Sequence, residues 1–196
     1  MPPPTRKLLI TAATDLLDAG GRESVTLREV GRRAGVSHNA PYKHFANKEA
    51  LLAGVAAEEL TKLSESLAAL REGSRPEGEV LRAALGEYIS WALAYPARYR
   101  LVFGVWSAPF EDLAVAAGSS YRTLMAIVEA AQRAEQLPPG DTQRMTALLQ
   151  ALIHGAIDLT MIGHLAIGGK GNADADGLVD DLLHHLRVSA AAVPAV

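Results

Sequence analysis

Side chains that can recognise a nucleic acid are concentrated between residues 26 and 48. An asparagine amide can read adenine through two hydrogen bonds, and a lysine can read guanine. Hydroxyl and ammonium groups at helix starts suit phosphate oxygens instead. We expect bases to be read by His38, Asn39, Lys43 and His44, and phosphates to be held by Thr26, Ser37, Tyr42 and Lys48 with Arg28 beside them. Arg6 and Lys7 are expected to form a basic arm nearby.

The elements that must position these side chains begin with a short helix. Thr26 and Glu29 have the spacing of a capping box, in which each side chain accepts a hydrogen bond from the other's backbone N–H. We expect the helix to end at Gly35, because glycine adopts the left-handed conformation found after helix C-termini. A preceding helix, residues 6–19, is expected to end at Gly20 and Gly21 for the same reason.

A second short helix is expected to follow at once. Ser37 has the side chain of an N-cap, which places this helix at residues 38–45. In that register Pro41 is the fourth helical residue and removes one backbone hydrogen bond. Two short helices joined by a tight turn form a helix-turn-helix, whose second helix enters the major groove of DNA by its N-terminal end. On spacing alone, the same pattern also fits an ordinary helical bundle.

The distribution of charge favours a local site for a polyanion. The formal net charge of the 196 residues is −3, which by itself does not suggest nucleic acid. Residues 1–50, however, contain eight Lys and Arg against five Asp and Glu, so this quarter is basic and the remainder is acidic. A basic region on an acidic body indicates one contact surface rather than a generally adhesive protein.

The rest of the chain is expected to be helical as well. Apolar residues recur every three or four positions, and no segment shows the alternation of a strand. The further expected helices cover residues 48–71, 77–95, 98–104, 112–136, 142–167 and 178–189. The predicted fold class is all-α, with an N-terminal three-helix helix-turn-helix domain joined by a long helix to a C-terminal helical domain.

Composition argues against several kinds of site. There is no cysteine, so disulfides, thiolate metal sites and a cysteine nucleophile are excluded. No arrangement of nucleophile, base and orienting group is recognisable, so we expect neither an enzyme, nor a cofactor, nor a metal. The longest apolar stretch, residues 145–167, contains Asp158, and a carboxylate in mid-membrane costs about 2.5–3.5 kcal/mol. We therefore expect no membrane span and a cytoplasmic location.

Two sequence motifs resemble the DNA-binding domain of TetR-type transcriptional regulators. The first is the run from Thr26 to Ser37 with its Ala-Gly-Val-Ser turn, and the second is Tyr42-Lys43-His44-Phe45 followed by Lys48-Glu49-Ala50-Leu51-Leu52. Together they cover about residues 5–52 without an insertion. The segment from Ser37 to Tyr42, with its proline, resembles one subgroup of the family. His154-Gly155 resembles the WHG-type C-terminal domain of that subgroup.

The resemblance implies a homodimer that binds a near-palindromic site in double-stranded DNA. It implies a DNA-binding domain at residues 1–52 and a ligand-binding and dimerisation domain at residues 53–196. Tyr42 and Lys48 match positions that usually hold phosphates in the family, whereas the expected base-reading residues match its variable part. The implied function is a sequence-specific regulator, expected to be a repressor that a small molecule releases from its operator.

The helix at residues 142–167 is expected to contribute to the dimer interface. Its apolar residues surround more than half of its circumference, whereas a surface helix needs a stripe of only about 100°. Burial on two sides is therefore expected, against its own core and against a second copy. With the helix at residues 178–189 it would form a four-helix interface. A merely central core helix would show the same pattern.

The scarce aromatic residues are candidates for lining a ligand pocket. Most of them fall between residues 88 and 106, and an aromatic cavity with a few polar groups is the usual small-molecule site. An apolar or aromatic effector is therefore expected, although aromatics at helical spacing are also common in cores. The expected lining is Tyr88, Trp91, Tyr95, Phe103, Trp106, Met125, His154, Asp158 and Met161.

His154 and Asp158 are four residues apart and therefore neighbours on one helix face. Three interpretations remain open from the sequence: a satisfied buried pair, polar anchors in a pocket, or two ligands of a metal whose third ligand is not recognisable. Two other classes of function also remain open. One is an enzyme that uses His154, Asp158 or His164, and the other is a helical module that binds another protein.

Overall fold

The computed structural model describes residues 4–191, without the side chains of residues 189 and 191. Within this range the chain forms nine α-helices and no strand, which confirms the predicted all-α class. They are α1 (Thr5–Ser24), α2 (Leu27–Arg33), α3 (Ala40–His44), α4 (Lys48–Ala69), α5 (Glu77–Ala94), α6 (Pro96–Val102), α7 (Glu111–Arg133), α8 (Thr142–Met161) and α9 (Ala175–Ala191).

The helices divide between two compact units. The first unit consists of the described residues up to Lys62 together with residues 95–119, and the second consists of residues 63–94 together with the described residues from 120 onward. The first unit therefore contains α1, α2, α3, α6 and the beginnings of α4 and α7. The second contains α5, α8, α9 and the ends of α4 and α7.

Each unit has an apolar core of its own. In the first unit, α1 and α4 bury their aliphatic faces, including Leu9, Leu17 and Leu51, whose side chains are almost wholly inaccessible. In the second, α5, α8 and α9 bury residues such as Leu85, Ile157 and Leu183. Removal of such side chains from water is the main favourable contribution to folding. None of the helices in residues 4–191 is long and apolar enough to cross a membrane.

Glycine in the left-handed conformation interrupts one helix and follows the end of another. Gly21 has a φ of 69° and interrupts the helical backbone of α1, as expected from the Gly20-Gly21 pair. Gly163 has a φ of 74° and follows α8, which ends at Met161. The prediction of a helix continuing to residue 167 was therefore wrong. Apolar periodicity continued beyond a residue whose backbone conformation stops the helix.

The start of α3 also differs from the prediction. The helix begins at Ala40, and the Ser37 carbonyl accepts the Ala40 N–H at 2.9 Å in a turn that precedes it. Ser37 is therefore not the N-cap; Asn39 occupies that position, without a side-chain cap bond. Pro41 consequently lies in the first turn rather than at the fourth helical position. A proline there removes no helical hydrogen bond, because first-turn N–H groups have no partner within the helix.

Candidate functional site

The start of α2 has one of the two side-chain bonds of the predicted capping box. Thr26 Oγ1 accepts the backbone N–H of Glu29 at 3.2 Å, which is half of the predicted capping box. The Glu29 carboxylate instead binds the Arg32 guanidinium, with Nε and Oε2 2.9 Å apart. This hydrogen bond lowers the pKa of Glu29 below its ordinary value. Because Thr26 Oγ1 acts as an acceptor within the helix, its own proton can be donated outward, as a phosphate contact requires.

The turn between α2 and α3 depends on two glycines. Gly35 has a φ of 66°, and the next backbone N–H, that of Val36, is donated to the carbonyl of Gly31 at 3.1 Å. Gly31 itself is buried against Pro41: a Cβ at this position would lie 2.9 Å from Pro41 Cγ. A side chain at residue 31 would therefore push α3 away from α2. Sequence reasoning did not single out Gly31, although a glycine within a helix was an available signal.

The residues expected to read bases all lie at the surface around α3. His38, Asn39, Lys43 and His44 are exposed, and the Tyr42 side chain is 54% exposed. The ring centroids of Tyr42 and His38 are 6.0 Å apart. Within residues 4–191, Asn39, Lys43 and His44 have no hydrogen bond or ion pair from their side chains. Their polar groups are therefore available to an external partner.

The residues expected to hold phosphates surround this surface. Asn47 Oδ1 accepts the Ala50 N–H at 2.8 Å and so caps α4. Lys48 is the first residue of α4, and its Nζ lies 3.8 Å from the Glu23 carboxylate. Arg28 and Ser37 are exposed. An ion pair as exposed as that of Lys48 is worth at most about 1 kcal/mol, so a phosphate can displace Glu23.

The predicted basic arm is not formed by Arg6 and Lys7. Both residues lie in the first turns of α1, which begins at Thr5. The Arg6 guanidinium lies over the Phe45 ring, 5.4 Å from its centroid, and pairs with Asp112 at 2.8 Å. The arm prediction was therefore wrong, because a helix that starts this early makes Arg6 part of the packed unit.

Three of the expected pocket residues lie together in the second unit. Tyr88 Oη and His154 Nε2 are 2.8 Å apart, and the Tyr88 ring lies 6.0 Å from the ring of Trp91. Burial lowers the pKa of His154, against the opposing effect of the Asp158 carboxylate. Asp158 is exposed, whereas Met125 and Met161 in the same unit are partly buried. No three His, Cys, Asp or Glu side chains gather as in a metal site anywhere in the described range.

Of the nine expected pocket residues, the remaining three belong to the first unit: Tyr95, Phe103 and Trp106. Tyr95 is 41% exposed, and the Arg98 guanidinium lies 4.1 Å from its ring centroid. Phe103 contacts the buried Tyr99, with ring centroids 5.4 Å apart. Trp106 packs edge-on against Phe110 and lies beneath the Arg22 guanidinium, which is 5.5 Å from its ring. The predicted set is thus divided between the two units.

One face of α8 carries exposed apolar side chains. Leu148 and Leu159 are 48% and 42% exposed and are separated by three helical turns, and Ile162, the C-cap of α8, is 60% exposed. Between them lies Gly155, where an added Cβ would meet nothing within 4 Å. The opposite face of α8 is buried, through Leu149, Ile153, Ala156 and Ile157.

Comparisons with known proteins agree with this arrangement. Residues 9–55 match the family model of bacterial regulatory proteins of the tetR family. Residues 81–186 match the model of the tetracyclin repressor-like C-terminal domain, which spans more than half of the chain. The HTH-type transcriptional regulator BetI of Rhizobium meliloti (strain 1021) is 35% identical over 81 residues, which are 41% of this chain and 40% of BetI.

Solved structures share the whole fold. A protein of unknown function from Rhodococcus sp. RHA1 superposes with a TM-score of 0.80, at 29% identity and with 95% of both chains covered. The transcriptional regulator FadR of Bacillus subtilis, solved with stearoyl-CoA, has a TM-score of 0.68 at 16% identity, with 92% of this chain and 96% of FadR covered. At that identity the likeness to FadR concerns the fold alone.

The family matches confirm the helix-turn-helix and the function class predicted from it, a DNA-binding transcriptional regulator. The N-terminal match contains every residue expected to read bases or hold phosphates, and the C-terminal match contains every expected pocket residue. With both parts of the family's architecture present in one chain, the protein belongs to the tetR family of bacterial regulatory proteins.

Proposed function

We propose that this regulator is a repressor that binds a near-palindromic DNA site as a homodimer and leaves it when a small molecule binds. The observation that carries the proposal is the exposed polar set around α3, in which Asn39, Lys43 and His44 have no side-chain hydrogen bond or ion pair within the described range. A capped α2 and a glycine-supported turn hold this set. Two α3 helices about 34 Å apart would enter successive major grooves.

The expected DNA contacts have different consequences for binding. His38, Asn39, Lys43 and His44 read base edges, and Thr26, Arg28, Ser37, Tyr42 and Lys48 hold phosphates. Base contacts specify the site, whereas phosphate contacts position the protein and supply most of its salt-dependent affinity. The boundaries that we propose are residues 1–52 for the DNA-binding domain and 53–196 for the ligand-binding and dimerisation domain.

The proposed dimer interface uses α8 and α9. The exposed apolar face of α8 supports it, since a helix buried on one side by its own core leaves a second apolar face to be covered. Gly155 supports it too, because a helix without a Cβ at its centre allows another helix to approach closely.

The proposed effector is a small apolar or aromatic molecule bound in the C-terminal domain. Tyr88, Trp91 and His154 support this, because they combine aromatic surface with a hydrogen-bonded polar pair. His154-Gly155 also supports membership of the subgroup with a WHG-type C-terminal domain. FadR of Bacillus subtilis, a protein of this fold, was solved in complex with stearoyl-CoA. We place the regulator in the cytoplasm, where it would meet DNA and effector together.

Selection of bound duplexes from a random DNA pool, at about 150 mM salt, tests the proposal. Enrichment of a two-fold symmetric site is the expected result. A purified, folded dimer that enriches no sequence would contradict it, once denaturing extraction has excluded a co-purified small molecule that holds the protein in its released state.

A further inference from the structure

Residues 95–112, here called the anchor segment, bind four charged residues of α1 and α4. Arg98 of α6 binds Asp18 of α1, with Nε and Oδ1 3.0 Å apart, and also binds Glu59 of α4 at 3.1 Å. The backbone N–H of Ser107 is donated to Glu49 Oε1 at 2.9 Å, and its hydroxyl to Oε2 of the same carboxylate.

These contacts have unequal strength. The fourth, between Asp112 and Arg6, is an exposed ion pair and contributes little. In the pair between Arg98 and Glu59 the carboxylate is buried, but Lys62 also binds it at 3.0 Å, so two cations compensate its charge. The two bonds from Ser107 hold both oxygens of one carboxylate, and hydrogen bonds to a charged acceptor are stronger than those between neutral groups.

The position of Glu49 makes its fixation important. It is the second residue of α4 and directly follows Lys48, the expected phosphate contact. A carboxylate next to a phosphate site repels the DNA backbone unless it is held elsewhere. Ser107 holds it toward the anchor segment. The hydrogen bonds from Ser107 and, to a smaller extent, the Arg22 charge lower the pKa of Glu49 below its ordinary value, because they favour the charged carboxylate.

We propose that Ser107 is a positioning residue for DNA binding, which fixes the first turn of α4 and keeps the Glu49 carboxylate away from the phosphate beside Lys48. This inference rests on the proposed DNA-binding role. It extends the functional part of the DNA-binding unit to a loop more than fifty residues beyond the helix-turn-helix. The contribution is sequence-independent, because Ser107 acts through a phosphate contact and not through a base.

The test measures DNA affinity of full-length variants on the selected duplex and on a random duplex. Ser107→Ala should weaken both about threefold to tenfold, with their ratio unchanged, since one charge-assisted contact is lost at an exposed position. Ser107→Thr keeps the hydroxyl and should restore most of the affinity. Glu49→Gln in the Ser107→Ala background should restore it as well, because the repelling charge is removed. Ser74→Ala, an exposed loop serine with no hydrogen-bond partner in the described range, is the matched control.

Two outcomes would overturn the inference. If Ser107→Ala binds both duplexes as tightly as the wild type, the Ser107 side chain positions nothing, because alanine removes its hydroxyl bond to Glu49. If the double variant remains as weak as Ser107→Ala while its thermal midpoint has also fallen, the serine is structural only. Failure of the proposed function looks different, because the wild-type protein itself would then bind no duplex preferentially.

Discussion

In the part of the chain that the structure describes, the surfaces around α3 and on α8 expose opposite kinds of side chain. Around α3 these are amide, ammonium and imidazole groups, and on α8 they are Leu148, Leu159 and Ile162. A polar surface without internal partners suits a charged, hydrated polymer, whereas an apolar stripe suits another apolar surface. The difference indicates two kinds of contact. The polar surface suits an electrostatic contact that depends on salt, and the apolar stripe suits a hydrophobic contact that does not.

Charge introduced on the α8 stripe should have the largest effect. Leu159→Glu places a carboxylate in the proposed interface, and we expect it to cost about 2 kcal/mol or more. The dimer dissociation constant should therefore rise at least about 30-fold, as measured by sedimentation equilibrium. Val115→Glu is the matched control, because Val115 is 64% exposed but lies on α7. An unchanged dimer dissociation constant in Leu159→Glu would show that this stripe does not lie in the dimer interface.

Gly31→Ala should have the next largest effect, in the polar region. The new Cβ would lie 2.9 Å from Pro41 Cγ, and overpacking of this kind costs about 1–3 kcal/mol. Alanine is otherwise better than glycine within a helix by about 1 kcal/mol, so a net loss identifies the contact. Urea unfolding measures the free energy of unfolding. Pro41→Ala in the same background should recover part of the loss, and a fully additive double variant would argue against the contact.

Variants at Asn39 and Lys48 should separate the two kinds of DNA contact. Asn39→Ala should lower the preference for the selected site over single-base variants by about 1–3 kcal/mol. Lys48→Ala should weaken all duplexes alike and reduce the slope of log K against log salt by about 2 per dimer, because each phosphate contributes about 0.9. Fluorescence anisotropy over a salt series measures both. A uniform loss in Asn39→Ala would remove the base-reading role.

The smallest expected effect concerns the pH dependence of stability in the second unit. Burial lowers the pKa of His154, so the unfolded chain binds a proton at a higher pH than the folded chain does. The free energy of unfolding should therefore fall as the pH drops below about 6.5, the ordinary histidine value. Urea unfolding between about pH 7.5 and pH 5.5 should show this loss, and His154→Gln should show less of it. Equal pH dependence in both proteins would contradict the assignment to His154.

Features that depend on contacts between residues close in the sequence could be predicted, and features that depend on distant residues could not. Thr26, Gly35 and Asn47 act on backbone groups within four residues, so the helix boundaries around the turn were legible in the sequence. The prediction that Ser37 is an N-cap was wrong because serine is common both at N-caps and in turns. The backbone geometry decides between the two positions.

Contacts between distant segments were beyond local patterns. Nothing near Ser107 in the sequence indicates that it holds Glu49, and nothing near Tyr88 indicates His154. The Arg6 pairing with Asp112 replaced an expected arm for the same reason. The aromatic run from residue 88 to residue 106 was visible, but the division of that run between two units was not.

The contact between Gly31 and Pro41 also limits how the recognition surface can be transferred or redesigned. At five residues, α3 is far shorter than the roughly twelve that an isolated helix needs to be stable in water. A synthetic peptide with its sequence would not hold its side chains in order. A redesign of the operator preference would therefore replace the residues at positions 38, 39, 43 and 44 within the whole domain. It would keep Gly31 and Pro41 together, because each is needed for the close contact with the other.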